Sequence, residues 1–191
     1  MHKSIIDLWS SVKAPPVPEL KAVTLDPKTT ALLMLDFVTH ACNETLRPRC
    51  LETVPAAKKL LTAARAKKVL VVYAIGAVTP GRTIADTLPD VAPLTGEPYV
   101  QSGPNKFLNT DLDQILKDHG IKTVIVTGTA AHGAVLHTAD ESVFRGYKVV
   151  VPVDTISAEN LFIEQYVVHH FTLGSRVKDA TTLTRVDLIS F

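Results

Sequence analysis

Three places along the chain bring together residue types that could move a proton or hold a developing negative charge. The apolar run "TALLMLD" (30–36) ends on Asp36. A carboxylate at the end of a buried strand is costly unless it is hydrogen-bonded or at work, and general acid or base is the work it suits. Lys106, just ahead of Phe107, offers a cation that could polarise a substrate, although a solvated lysine would read the same way. In "VTGTAAHGAVLH" an apolar run closes at Gly128, and a turn of small residues leads to His132, Gly133 and Ala134. A helix starting there would point unpaired backbone N–H groups, from Thr129 to Ala134, at developing negative charge. Of the last three residues only His132 has a reactive side chain. The helix dipole disfavours its protonated form, which suits a neutral, hydrogen-bonding residue at a pocket rim.

Other candidates are less specific. Gln101 could orient a ligand as a neutral donor and acceptor but supplies no charge. Phe37, Tyr73 and Phe107 could wall a small apolar pocket, and core packing alone would equally explain them. His137, His169 and His170 fall within helical stretches without ligand spacing, and Asp36 with His40 is a weak pair in a loop, so neither a metal nor a cofactor is expected.

These residues need a scaffold, and the hydrophobic pattern supplies one. "TALLMLD" (30–36) and "VLVVYAI" (69–75) are continuous apolar runs, as expected of strands covered on both faces. Between them "VPAAKKLLTAARAKK" (54–68) has helical character. After a loop rich in Pro, Gly and Thr (76–98), Thr110 caps a helix ending at Gly120. A strand at 122–128, a helix at 132–145, a strand at 147–152, a helix through "SAENLFIEQYVVHHFTL" and a short strand near 182–188 complete the pattern. The fold class is α/β: a three-layer α/β/α sandwich on a mainly parallel, Rossmann-like sheet with right-handed crossovers. In such a sheet the chemistry collects at the carboxyl ends of the strands.

Length and charge restrict the partners. The 191 residues, 46% hydrophobic, suit one domain (29–191) preceded by an arm (1–28) carrying Ile5, Ile6, Leu8 and Trp9 ahead of "APPVP". Twenty Lys and Arg against 19 Asp and Glu give no field to draw nucleic acid or an anionic membrane, so a small-molecule substrate is the expected partner. The apolar arm points to a homo-oligomer, a dimer or larger. Cys42 and Cys50 make neither a metal finger nor a disulfide framework, which suits a reduced, cytoplasmic setting; a single bridge between them stays open. Nothing in the first residues reads as a signal peptide, and no run approaches a membrane span.

Asp36 in "LLMLDF", the segment "KFLNTDLDQIL", "VTGTAAHGAVLHTA", and "RGYKVVVPVD" followed by Ser157 and Glu159 resemble the isochorismatase-like, or cysteine hydrolase, family from about residue 29 to the C-terminus. The resemblance implies an isochorismatase-like hydrolase fold and a triad of aspartate, lysine and cysteine. On that pattern the cysteine position holds Ala134, which has no nucleophile, and counting back from the aromatic of "KF" sets the lysine position at Gln101, with Lys106 five residues on. The likeness is closer to the isochorismatase branch, which shares an Ala-His pair (here Ala131-His132) and a small residue in place of the cysteine. That branch cleaves a vinyl ether without a covalent intermediate, its aspartate acting as acid. The resemblance further implies a cis peptide between Thr129 and Ala130, Gly76 where that branch has a substrate-binding glutamine, and Arg82 near the place of its arginine.

The function these readings imply is hydrolysis of a small amide, ureide or vinyl ether by general acid–base catalysis without an acyl-enzyme. Asp36 would move the proton, and Lys106 or Gln101 would polarise. The alternatives are a small-ligand-binding protein on the same fold and a cysteine hydrolase whose nucleophile has been replaced by Ala134.

Overall fold

The computed structural model describes residues 2–76 and 81–191. In chain order its elements are β1 (Val23–Thr24), β2 (Thr30–Leu35), α1 (Pro48–Ala66), β3 (Leu70–Gly76), β4 (Tyr99–Ser102), α2 (Leu112–Asp118), β5 (Thr123–Thr129), α3 (Leu136–Phe144), β6 (Lys148–Pro152), β7 (Ile156–Ser157), α4 (Leu161–His170), α5 (Ser175–Ala180), β8 (Thr181–Thr184) and β9 (Ile189–Ser190). The main sheet runs β4-β3-β2-β5-β6-β8, with β7 paired to the end of β5, and every strand pairing in it is parallel.

Strand β2 shows why its sequence is apolar throughout. Ala31, Leu33 and Leu35 face a core completed by Leu112 and Leu116 of α2, Ala139 and Val143 of α3 and Val167 of α4. Leu32 and Met34 face the opposite core, against Val54, Ala57, Leu60, Leu61 and Ala64 of α1. Successive side chains point to opposite faces of a strand, so a sheet covered on both sides needs apolar residues at every position. The result is the three-layer α/β/α sandwich expected, with β2 and β5 at its centre.

The differences from expectation lie at element ends and edges. Helix α1 begins at Pro48 rather than near residue 54 and runs through Pro55. Pro48 sits in the first turn, where its missing N–H costs nothing, and the face Cys50, Val54, Ala57, Leu61 and Ala64 is buried along the whole length, which outweighs the hydrogen bond lost at Pro55. The loop expected over 76–98 gives way at Tyr99 to the edge strand β4, a four-residue element whose exposed-buried alternation is too short to stand out. Ala77 to Pro80, within that loop, lie outside the described residues. The last helix is shorter than expected and is followed by α5, and β8 ends at Thr184. Residues at the end of the arm join the domain: β1 pairs in parallel with β9, and the Lys21 N–H donates to Leu183 O at 2.9 Å.

Cys42 and Cys50 are not free thiols. They form a disulfide, buried on both sides, that ties the loop after β2 to the first turn of α1. The expectation of a reduced pair is thereby corrected, and the bridge that was left open is the one formed. Among the described residues no helix is long and apolar enough to cross a membrane.

Candidate active site

Asp36 follows directly on β2, with φ +53 and its N–H donating to Ala74 O at 2.9 Å. The left-handed backbone turns the chain off the sheet at its carboxyl edge. Gly76, at the end of the neighbouring β3, donates its N–H to the Asp36 carboxylate. A Cβ added there would stand 3.7 Å from Asp36 Oδ1, so this glycine lets the strand end lie close to the acid.

Lys106 is paired with this carboxylate: its Nζ stands 2.8 Å from Asp36 Oδ2, the two side chains 1% and 14% exposed. For a lysine, burial of this degree is rare unless a partner compensates the charge. The loop that carries it is held at several points. The Lys106 N–H donates to Thr138 Oγ1 at 3.2 Å, and Thr110 Oγ1 donates to Lys106 O at 2.6 Å. Ser102 Oγ donates to Leu108 O at 2.7 Å, and Thr138 Oγ1 donates to Pro104 O at 3.3 Å. These bonds satisfy the turn's backbone, so the long side chain is delivered to the acid at little further loss of entropy.

Thr138 also ties Ala134 to the pair. It lies four residues after Ala134, on the same helix face, so the residue that holds the Lys106 backbone sits one turn beyond that methyl group. Strand register brings the turn to the acid as well, since Leu35 is paired with Gly128 and Asp36 therefore stands beside Thr129. Gly128 has φ +124, and a Cβ on it would fall 1.9 Å from Leu35 O, so only glycine allows the two strand ends this close. The Thr129–Ala130 peptide is cis. Ala131 to Val135 then form a single wide helical turn leading into α3, with Ala134 4% exposed.

Burial drives the Asp36 carboxyl above the usual aspartate range. The Lys106 ammonium opposes this, as do the Gly76 N–H and, more remotely, His40, without cancelling it. His40 is held below the usual histidine range by burial and by Arg82, against the pull of Asp86 and Asp36. His40 thus belongs to the electrostatic surroundings of Asp36, a weaker relation than the metal pair their spacing could have meant, and Arg82 acts on His40.

The other candidates are spread more widely. Gln101 is exposed and donates through Nε2 to Gly76 O and Arg82 O, both at 3.3 Å, whereas the cation paired with Asp36 is Lys106. Thr129 is buried, its Oγ1 donating to Ser157 O at 3.0 Å. His132 is 44% exposed, with Nδ1 3.5 Å from Glu159 Oε2, and Arg47 grips Glu159 at 2.7 Å. Although burial raises it, Glu159 is kept below the usual range by its own backbone N–H and by Arg47. Phe37 is buried in the α1-side core. Tyr73 lies on that same side, its hydroxyl donating to Val91 O at 2.7 Å and accepting from Arg65 at 3.1 Å. Phe107 packs on Tyr147 with Arg145 over its ring. These three aromatic rings are core residues, which accounts for the ambiguity of their signal. Among the described residues no group of three or more His, Cys, Asp and Glu side chains is arranged to hold a metal.

Gly76, Thr138 and Glu159 complete the arrangement. The i, i+4 spacing of Ala134 and Thr138 was the available signal for the second; a backbone N–H, such as that of Gly76, leaves none in a sequence.

Residues 30–182 match the family model described as Isochorismatase domain. Among characterised relatives, N-carbamoylsarcosine amidase of Arthrobacter sp is 34% identical over 67 residues, 35% of this chain and 25% of that protein. The secreted isochorismatase effector Isc1 of Verticillium dahliae is 31% identical over 84 residues, 44% of each. The chain thus spans less than half the length of these curated relatives. The solved N-carbamoylsarcosine amidase from Thermoplasma acidophilum superposes with a TM-score of 0.70 at 25% identity, over 83% of this chain and 95% of that one. An isochorismatase from Pseudomonas putida KT2440 gives 0.75 at 19% identity over 99% and 100%, a likeness of fold alone.

Proposed function

This chain belongs to the isochorismatase family, and we propose that it is a hydrolase of a small amide, ureide or vinyl ether that works by general acid–base catalysis without a covalent intermediate. The observation that carries the reading is the buried pair of Asp36 and Lys106; the family resemblance adds that the nucleophile position of the neighbouring turn falls on Ala134, a methyl group. An enzyme without a nucleophile still needs a group that moves a proton, and a desolvated carboxylate with a raised pKa is a stronger base than one in water. For an amide or ureide, Asp36 begins ionised beside Lys106 and takes a proton from water as its oxygen adds to the carbonyl carbon. It then returns that proton to the leaving nitrogen as the C–N bond breaks. Lys106 holds the carboxylate in place and steadies its charge. The N–H groups of the turn from Thr129 to Ala134 receive the developing oxyanion. For a vinyl ether the order is reversed, with Asp36 giving the first proton. N-carbamoylsarcosine amidase, whose name describes a ureide substrate, favours the first order.

The decisive variant is Asp36→Asn, assayed against panels of amides, ureides and vinyl ethers. Its amide neither accepts nor donates the travelling proton, so turnover falls by ~10²–10⁴-fold while binding of a substrate survives. Unchanged turnover overturns the proposal. A second reading, a ligand-binding protein on the same fold, is favoured by Ala134 itself. Binding without turnover across all three panels in the wild-type protein would establish it.

A further inference from the structure

Between Thr129 and His137 the turn beside Asp36 carries a single polar side chain, His132. Side-chain contacts that hold this turn through polar atoms must therefore act on His132 or on Thr129. Both residues meet the same short segment. Thr129 Oγ1 donates to Ser157 O at 3.0 Å, Ser157 Oγ donates to Thr129 Oγ1 at 3.1 Å, and His132 Nδ1 stands 3.5 Å from Glu159 Oε2.

The segment is braced from the start of α1. Arg47 brings two nitrogens, Nε and Nη2, to 2.7 Å from Glu159 Oε1, which leaves Oε2 for His132. Arg49 makes a two-point contact with Glu164 at 2.8 and 2.7 Å, and Glu164 accepts the Ala158 N–H at 3.0 Å. Arg47 thus governs a side chain, whereas Arg49 governs a stretch of backbone. Arg47 is itself fixed at two points, and the disulfide joins them. Its Nη1 donates to Ala41 O at 3.2 Å, next to Cys42, and its carbonyl accepts the Cys50 N–H at 2.9 Å. The Cys42–Cys50 bridge keeps these anchor points together across the exposed residues Glu44, Thr45 and Leu46.

We propose that His132 recognises the substrate by accepting a hydrogen bond from its N–H, and that Arg47, acting through Glu159, is the residue that positions His132, with the bridge keeping Arg47 in place. This rests on the hydrolase reading above and narrows it to amides and ureides. An imidazole whose Nδ1–H turns to a carboxylate keeps its lone pair on Nε2, so that nitrogen accepts and does not donate. At 3.5 Å the Glu159 contact is long, as contacts in a site often are before a ligand tightens them. The ring is 44% exposed, which leaves Nε2 open to a ligand at the rim. Amides and ureides bring N–H donors to such an acceptor, whereas a vinyl ether group brings none.

Hydrogen exchange on the free protein tests the positioning without a substrate. In Arg47→Gln the amides of 128–136 exchange about 10-fold faster while those of β2 keep their rates, and Arg47→Lys, which keeps a cation beside Glu159, recovers most of the protection. The Cys42→Ala/Cys50→Ala variant moves the same amides; should it not fold, the two Arg47 variants decide alone. Kinetics on an amide or ureide turned over in the panels test the recognition. KM rises about 10-fold in His132→Ala and in Arg47→Gln, with kcat within about threefold because Asp36 and Lys106 are untouched. An N,N-dialkyl analogue without the N–H shows no such rise, and Arg49→Gln lowers stability but leaves KM alone. Unchanged exchange at 128–136 in Arg47→Gln overturns the positioning role. An equal rise in KM for Arg49→Gln or for the dialkyl analogue overturns the recognition. Absence of turnover across the panels counts against the hydrolase reading and the N–H acceptor with it, while the exchange result still decides on Arg47.

Discussion

The Asp36–Lys106 centre and the arm with α4 hold opposite kinds of surface. At the centre, charges are buried and matched: a lysine 1% exposed meets a carboxylate 14% exposed, and the lysine's loop is tied down by Thr138, Thr110 and Ser102. At the arm, apolar side chains are exposed and unmatched. The first region holds its charges within one chain, and in the proposed reading it tolerates a change of chemistry, since the acid, the cation and the turn keep their places around the Ala134 methyl group. The second leaves its apolar side chains in water within the single chain. The centre is shaped by electrostatics already built in, whereas the arm is shaped by little that the rest of the chain supplies.

The most forceful way to break that contrast is to remove one half of the matched pair. Lys106→Met keeps the length of the side chain but leaves the Asp36 charge buried without its partner, a loss of ~3–5 kcal/mol for ion pairs of this kind. Adding Asp36→Asn removes the stranded charge and restores much of that stability. Urea denaturation of both single variants and of the double variant measures the coupling. If Lys106→Met costs no more than a surface substitution, the pair is not the buried, mutually dependent unit described.

Much of this centre was legible before any coordinates. Asp36 ends a strand whose neighbours on both sides are apolar, and an acid at such a place announces itself by its cost. The small residues of 128–134 likewise signalled a close strand-to-turn approach, which Gly128 makes against Leu35 O. Lys106 was harder. Counting from an aromatic assumes a loop of fixed length, whereas the hydrogen bonds that steer this loop depend on Thr138, 32 residues later in the chain. The edge strand β4 and the bridge between Cys42 and Cys50 were missed or left open for the same reason: each is decided by a neighbour in space, and local pattern carries only a weak trace of it.

A gentler perturbation sharpens the electrostatic half of the comparison. In the proposed order Asp36 acts first as a base and must be ionised, so kcat/KM is fully present above its pKa and is lost as the pH falls through it. Burial sets that pKa higher than usual even against Lys106, so the acid limb of the profile lies above the ~4 of an ordinary aspartate. In Lys106→Met the opposing cation is gone and the limb moves further toward neutrality. A limb at or below ~4 in the wild-type enzyme, measured where the fold is intact, would mean that solvation at Asp36 is far greater than its burial implies.

The smallest expected effect separates wall from core at Tyr73. Its sequence position allowed a pocket role, yet its ring packs on the α1 side and its hydroxyl spans Val91 O and Arg65. Burial drives that phenol well above the usual tyrosine range, so it stays a neutral donor at any pH the protein survives. Arg65 in turn binds Glu97 at 2.7 Å and Ala92 O at 2.9 Å, so the Tyr73 hydroxyl belongs to a polar clasp closing the segment that leads into β4. Tyr73→Phe removes the donor to Val91 O and one acceptor for Arg65 while keeping the ring. A loss of ~1 kcal/mol in stability follows, the net value of a hydrogen bond whose partners retain other contacts. Both kcat and KM should stay within twofold of wild type, because nothing in the clasp reaches Asp36. A change in KM without a change in stability would move Tyr73 back into the pocket and redraw the boundary between the α1-side core and the catalytic edge of the sheet.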